Sequence, residues 1–434
     1  MLVHASDLTD EGSTMYGWAQ DLFPICRSIT GEGVRESLGY FQRIVPELEI
    51  KSIASGTPVF DWTVPKEWRI SSAYIKDPHG KIIVDFADSN LHVVGYSIPV
   101  HKTLSLQELD GHLYSLPNMP DAIPYVTSYY AERWGFCLTH EQRQSLEEGD
   151  YEVFIDSELF DGVLNYGEVL IPGETEKEIL LSTYICHPSL ANNELSGPIV
   201  TTGLINKIKA IPNRKYTYRV LFLPETIGSI SYLSQHLQHL QQQVEAGFVL
   251  TCIGDDRNYS YLSSRQENTL ADRAAIHTLE HMVDDFKRYD FLQRGSDERQ
   301  YCAPGVDLPV CSLMRTRYGD YPEYHTSLDN LDLISNQGLA GGLAMAFNAV
   351  NLLEQNATYE VTVKCEPQLG KRGLYPTVSD MSQDYSDVQK LTNFIAYCDG
   401  TRDLMAIADK ISVSAFELMK TAALLEKEGL LRKV

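Results

Sequence analysis

Basic residues are in short supply. The 434-residue chain carries 36 Lys+Arg against 59 Asp+Glu, a formal charge of −23. A surplus of that sign repels nucleic-acid phosphates and anionic lipid headgroups, so neither nucleic acid nor a membrane is an expected partner. Long apolar runs are missing as well. No stretch reaches the ~18 residues that a bilayer span needs, and the opening MLVHASDLTDEGSTMYGW lacks the basic and apolar parts of a secretory leader. A cytoplasmic location is expected. Cysteine is thinly spread: Cys26, Cys137, Cys186, Cys252, Cys302, Cys311, Cys365 and Cys398 include no CxxC and no framework spacing. That excludes a disulfide scaffold and points to reduced, mostly buried thiols. Phosphate-cradling GxxxxGK[ST] and strand-end GxGxxG loops are absent, as is the GxSxG of a serine nucleophile elbow.

What is present is a well-filled chain, 43% hydrophobic, long enough for two or three domains. Residues 1–56 read as a helical lead-in, with apolar positions at helical spacing over Val34–Val45. Residues 57–172 hold short alternating runs, such as Lys81–Phe86, Leu91–Tyr96 and Tyr151–Ile155, broken repeatedly by Pro, Gly, Asp and Asn. That pattern predicts an inserted β-rich domain. Residues 173–355 alternate unbroken apolar strands (ILLSTYIC, YTYRVLFL, FVLTCIG) with helices, which predicts a doubly wound α/β sheet. After Leu353 a polar stretch reads as a hairpin linker, and residues 385–434 as three short helices of a winged-helix domain stopped at Gly429. Its last helix sets Glu417, Glu426 and Glu428 beside only Lys420 and Lys427. Such a face suits packing or assembly, a homo-oligomer included, better than DNA contact.

Sites in open α/β sheets form beyond the carboxyl ends of strands. The strand ILLSTYIC delivers His187, followed by Asn193 and Glu194 just ahead of a helix expected near Ser196. The strand VLFLPET delivers Glu225, FVLTCIG leads to Asp255, a later loop supplies Asp297 and Glu298, and Tyr324-His325 lies four residues before Asp329. Two imidazoles and several carboxylates converging on one sheet edge suit a zinc ion with an open position for water. Each residue also has a plainer role. Glu225 could cap a helix, Asp297 could close an Asx turn, and Asn193 could serve as a turn or capping residue.

The runs His187…Asn193-Glu194-Leu195-Ser196-Gly197, Pro224-Glu225-Thr226-Ile227-Gly228-Ser229, Gly295-Ser296-Asp297 and Tyr324-His325-Thr326…Asp329 resemble the signatures of co-catalytic zinc exopeptidases such as bacterial leucyl aminopeptidase. The segments VPKEWRI, SNLHVVGYSIPV, LDGHLYSLP, AIPYVTSYYAERWGFC and ICHPSLANNELSGP are similar, over nearly the whole chain, to an aminopeptidase-like bacterial family. That family carries an inserted β domain and a C-terminal winged helix. The resemblance implies an α/β fold, a doubly wound mixed sheet of zinc-exopeptidase type. It implies metal-dependent release of an amino acid from a peptide or amino-acylated small molecule. The alternative is an inactive relative that binds a ligand.

Carried over by position, His187 and His325 match the family's first and last metal histidines. Asn193 stands where the exopeptidases place a metal-bridging Asp, and its neutral amide oxygen is a weaker ligand. Glu194 next door is the substitute candidate. Pro224-Glu225 leaves one carboxylate where those enzymes have two. These departures imply one Zn2+ rather than two, held by His187, His325 and Glu225 with Asn193 or Glu194, or no metal at all. For proton transfer Glu225 is the first candidate and Glu298 the second, with Tyr324 as the oxyanion donor. Asp297 or Asp255 could pair with a substrate ammonium.

A rival pattern, His277-Thr278-Leu279-Glu280-His281, matches the inverted HxxEH of some metalloproteases. Apolar Ile276, Leu279, Val283 and Phe286 would form that helix's buried stripe and leave both histidines at its boundary, so the match reads as accidental. The aromatic run Tyr125–Phe136 is read as core of the β-rich unit, with a cleft wall as the alternative.

Overall fold

The apolar runs of residues 178–250 become the middle of an eight-stranded mixed sheet in the computed structural model, which describes residues 2–374 and 386–434. Glu178–Tyr184 lies between Thr217–Leu223 and Val244–Leu250, and Val244–Leu250 pairs in turn with Val310–Met314, all four parallel. Strands buried on both faces need apolar residues throughout, and every residue of Glu178–Tyr184 is buried. Antiparallel strands finish both sides. Val163–Ile171 and Glu49–Ala54 extend one edge, and Ser260–Leu262 with Lys287–Tyr289 the other.

Helices Ser196–Lys209, Leu270–Met282 and Asn336–Gln355 pack against the sheet, with the N-terminal helices Thr9–Leu22 and Glu32–Ile44 beside them. Leu339, Leu343, Val350 and Leu353 of the long helix are fully buried. Each such burial contributes about 1.5–3 kcal/mol. Gly197 lets the first helix approach closely, because a Cβ there would stand 2.5 Å from the Leu250 carbonyl oxygen. No helix among the described residues is long and apolar enough to cross a membrane.

Two boundaries differ from expectation. Val163–Ile171 belongs to the central sheet, so the β insertion ends before it and not at residue 172. The inserted unit has its own antiparallel sheet, ordered Ile82–Asp85, Glu67–Lys76, Asp150–Phe160, Val100–Ser105, and its own core around Trp134, Phe136 and Val153. At the other end, Thr358–Val361 is no linker hairpin. It is the middle strand of a three-stranded sheet with Asp399–Asp403 and Leu431–Lys433. These strands accompany the helices Ser386–Tyr397, Leu404–Ile411 and Ala415–Lys427, so the winged-helix unit starts upstream of the expected residue 385, which itself lies outside the described residues.

Candidate metal and amide-hydrolase site

Thr217–Leu223 and Glu178–Tyr184 run parallel in register, so His187 and Glu225 leave the sheet at the same carboxyl edge. The insertion brings in the third member. Tyr125 donates its N–H to the His325 carbonyl at 2.8 Å, and Pro124 bridges to Thr326. The rings of His187 and His325 then lie 5.3 Å apart, with the Tyr125 ring 5.1 Å from each. Two imidazoles 138 positions apart therefore face one another.

One nitrogen of each histidine decides what the pair can do. The Nδ1 of His187 bonds the Glu194 carboxylate at 2.7 Å, and the other oxygen of Glu194 accepts the Cys186 N–H. Arg27 braces this layer: its Nε donates to the His187 carbonyl at 3.0 Å and stands 3.8 Å from Glu194, both side chains fully buried. His187 therefore presents Nε2, and Glu225 Oε2 lies 3.7 Å from it. Burial opposes a charged His187 ring, but Glu194 and Glu225 outweigh it and hold the ring above its ordinary value. His325 is the reverse. Burial, with His187 adding, pushes it down to about 3, so it remains a neutral imidazole, and its Nε2 is buried without a hydrogen-bond partner.

Asn193 offers a second unsatisfied atom. A π-helical turn, Ala191–Leu195, precedes the helix Ser196–Lys209, and such turns recur at functional sites. Asp329 caps it, accepting the N–H groups of Asn192 at 2.6 Å and Asn193 at 3.0 Å. The Asn193 amide donates to the Tyr184 hydroxyl at 2.7 Å, which leaves Oδ1 buried and unpartnered. Positive φ angles at Ser189, Thr226, Cys252 and His325 place strained backbone around the same centre. Thr226, at φ 65° and ψ −74°, sits at the centre of a γ-turn closed by Ile227 N–H to Glu225 C=O at 2.8 Å. That turn aims Glu225.

The atoms left open around this centre are His187 Nε2, with Glu225 Oε2 3.7 Å from it, and the unpartnered His325 Nε2 and Asn193 amide oxygen. Among the described residues, the group of three potential ligands whose atoms all lie within 4.8 Å of one another is Cys186, His187 and Glu194. Their donors and acceptors are already spent on each other, and burial drives the Cys186 thiol well above its usual range. They form the layer that orients His187, so Glu194 stands behind the ring and not on its open face.

Other expected site residues fall elsewhere. Glu298 accepts Gly295 N–H at 2.8 Å, Ser296 N–H at 3.0 Å, Tyr318 O–H at 2.7 Å and Ser312 O–H at 3.2 Å. Both oxygens are committed to bracing the loop, and the residue does not line the cavity beside the histidines. Asp255 is equally occupied by Thr316, Arg257 and Asn192, so it is a loop clamp and not an ammonium partner. Asp297 accepts Thr226 N–H at 2.8 Å and Ser229 O–H at 2.7 Å, which locks the γ-turn. Burial, with Glu225 adding, raises Asp297 to about 7.

Tyr324 stacks on His325 at 3.9 Å, and burial, with Glu225 adding, keeps its hydroxyl protonated. His277 is buried, not at a boundary: Nδ1 meets Asp409 at 2.9 Å and Nε2 accepts Ala415 N–H at 2.9 Å.

Beside the histidines lies a cavity of about 310 Å³ walled by Trp62, Tyr125, Tyr129 and Tyr130. The aromatic run is thus divided, since Trp134 and Phe136 join the insert's core. Arg27, Tyr125 and Arg299, the last of which also lines this cavity, stand outside the site expected from the sequence. Arg27 and Arg299 carry no motif, while Tyr125 lay inside a run already singled out.

Residues 16–356 match the model of a domain of unknown function, DUF4910. The chain belongs to this family. Residues 357–433 match a winged helix-turn-helix family. A protein of Clostridium acetobutylicum is 44% identical over 416 residues, 96% of this chain and 95% of its own length; its name is that of a polysaccharide biosynthesis protein with an aminopeptidase-like domain. The crystal structure of a C. acetobutylicum protein named as a peptidase superposes with a TM-score of 0.93 at 42% identity, covering 99% of this chain and 98% of that one. A zinc aminopeptidase from Bacillus subtilis shares the fold with a TM-score of 0.57 at 14% identity, over 79% of this chain and 94% of its own. The architecture is therefore aminopeptidase-like, with a C-terminal winged helix.

Proposed function

We propose that the chain is a metal-dependent amide hydrolase of aminopeptidase type that holds one Zn2+ and releases an amino acid from a peptide or amino-acylated small molecule. The observation that carries this is the facing pair His187 and His325, with Glu225 Oε2 3.7 Å from His187 Nε2 and His325 Nε2 buried without a partner. His187, Glu225, His325 and the amide oxygen of Asn193 would hold the ion. When bound, zinc lowers the pKa of its water and polarises the scissile carbonyl. A neutral amide at position 193 bridges two cations poorly, which favours a single ion.

Glu225 opens to the cavity, its side chain 21% exposed, and burial raises its pKa. It suits the transfer of a proton from water to the leaving amine. Tyr324 remains protonated and can donate to the developing oxyanion. The clostridial relative's name and the tyrosine walls suit an amino-acylated sugar as well as a peptide. Eight free thiols suit a reducing, cytoplasmic setting. The winged helix serves packing or assembly in this reading, because the first N–H of its last helix is already bonded to His277. The test is metal analysis of the purified protein with amide hydrolysis assayed before and after chelation. Chelator-sensitive turnover with about one zinc per chain is expected, and metal-free protein without turnover would leave only ligand binding.

A further inference from the structure

The cavity beside His187 contains a cation with no assigned role. Among the residues lining it, Arg299 is the only Lys or Arg, and Glu225 the only carboxylate. Arg299 Nη2 donates to Thr226 Oγ1 at 2.5 Å, while its Nε is buried without a hydrogen-bond partner. No carboxylate oxygen among the described residues comes within 4.0 Å of it, although Glu225 and Asp297 lie near enough to feel its charge. With Nε shielded and one Nη2 hydrogen on Thr226, the N–H groups that Arg299 has left for a planar two-oxygen anion at the cavity's edge are those of Nη1 and the second of Nη2.

The acids that an ammonium would need are missing from the same walls. Asp255 and Glu298 have both oxygens engaged, and Asp297, with Oδ1 on Thr226 and Ser229 and Oδ2 buried and unpartnered, does not line the cavity. A free amino terminus finds only Glu225, whereas a carboxylate finds Arg299. The volume of about 310 Å³ holds a small amide and is too small for a nucleotide-linked sugar.

We infer that Arg299 is a specificity residue that grips a substrate carboxylate, so that the preferred substrates are small N-acyl amino acids. This rests on the amide-hydrolase part of the reading above and replaces its aminopeptidase part, since an N-acyl amino acid has no free amino terminus. Water adds its oxygen to the acyl carbon, the C–N bond breaks, and the proton passes to the nitrogen, giving a carboxylic acid and a free amino acid.

Binding separates the two ideas. Titration calorimetry of the full chain compares N-acetyl-L-phenylalanine with its carboxamide, which differ only in the charged group, for wild type, Arg299→Gln and Arg299→Lys. Tenfold or tighter binding of the carboxylate by wild type, erased in R299Q and partly kept in R299K at unchanged thermal stability, supports the inference. Equal binding of both ligands, or a preference that survives R299Q, overturns it. Hydrolysis of the same pair with and without chelator reads the other claim. Carboxylate preference without turnover removes the hydrolase and keeps the anion site, and turnover without preference does the reverse.

Discussion

His187 with His325 and His277 with His281 are two histidine pairs with opposite fates. The second pair is the closer in space, its ring centroids 4.4 Å apart against 5.3 Å, and it also fits a short metalloprotease pattern. Yet both nitrogens of His277 are spent, on Asp409 and on the Ala415 N–H, where they dock the winged helix. In the first pair one nitrogen of His187 is fixed by Glu194, its other faces Glu225, and His325 keeps Nε2 unpartnered. Proximity does not make a metal site. A metal also needs unspent lone pairs and a second layer that orients them.

The sharpest way to break this comparison is to exchange a histidine in each pair. His325→Ala should abolish bound zinc and chelator-sensitive hydrolysis, while His281→Ala leaves zinc per chain and turnover as in wild type, both read by elemental analysis and a steady-state assay. Zinc lost in H281A and kept in H325A would reverse the assignment.

The orienting layer gives the next largest effect. Glu194→Gln keeps an acceptor near Nδ1 but removes the charge, and such changes typically cost 10–100-fold in metal affinity. It also strands the fully buried Arg27, and breaking a buried pair costs about 3–5 kcal/mol. The double variant Arg27→Met/Glu194→Gln should therefore recover stability in urea unfolding without recovering zinc affinity. A smaller loss is expected at Asp297, which holds the γ-turn from outside the cavity. Asp297→Ala should lower kcat about 10²-fold through misplacement of Glu225, with zinc affinity weakened alongside, because Glu225 would also hold the ion. A change confined to KM would contradict that role.

Much of the site was legible because strand ends announce themselves: an apolar run followed by His187, or by Pro224-Glu225, needs only the α/β rule to be placed at one edge. The opposite pattern explains Glu298 and Asp255. A sequence shows that an acid is present but not how many N–H and O–H groups its loop will turn toward it, and here those groups consume both oxygens. Val163–Ile171 reads as part of the insertion because a strand looks the same in sequence whichever sheet it joins. Thr358–Val361 escaped because its partners, Asp399–Asp403 and Leu431–Lys433, come much later in the chain. Arg27 and Arg299 reach the site only through the fold, with no local spacing to reveal them.

The smallest expected effect probes the second pair on its own ground. Burial lowers the pKa of His277, with His281 adding, against the opposing pull of Asp409 and Glu280. A histidine depressed in the folded state binds fewer protons there than in the unfolded chain. Its contribution is therefore complete above the ordinary histidine value near 6.5 and is lost as pH falls below it. Protonation would also turn Nε2 from an acceptor into a donor facing the Ala415 N–H. Limited proteolysis between the α/β domain and the winged helix should accelerate from pH 7 to pH 5.5 in wild type, and much less in His277→Gln. Because His187 and His325 lie at the other end of this comparison, zinc content in H277Q should match wild type. An equal pH response in both proteins would mean that the docking contact does not depend on this ring.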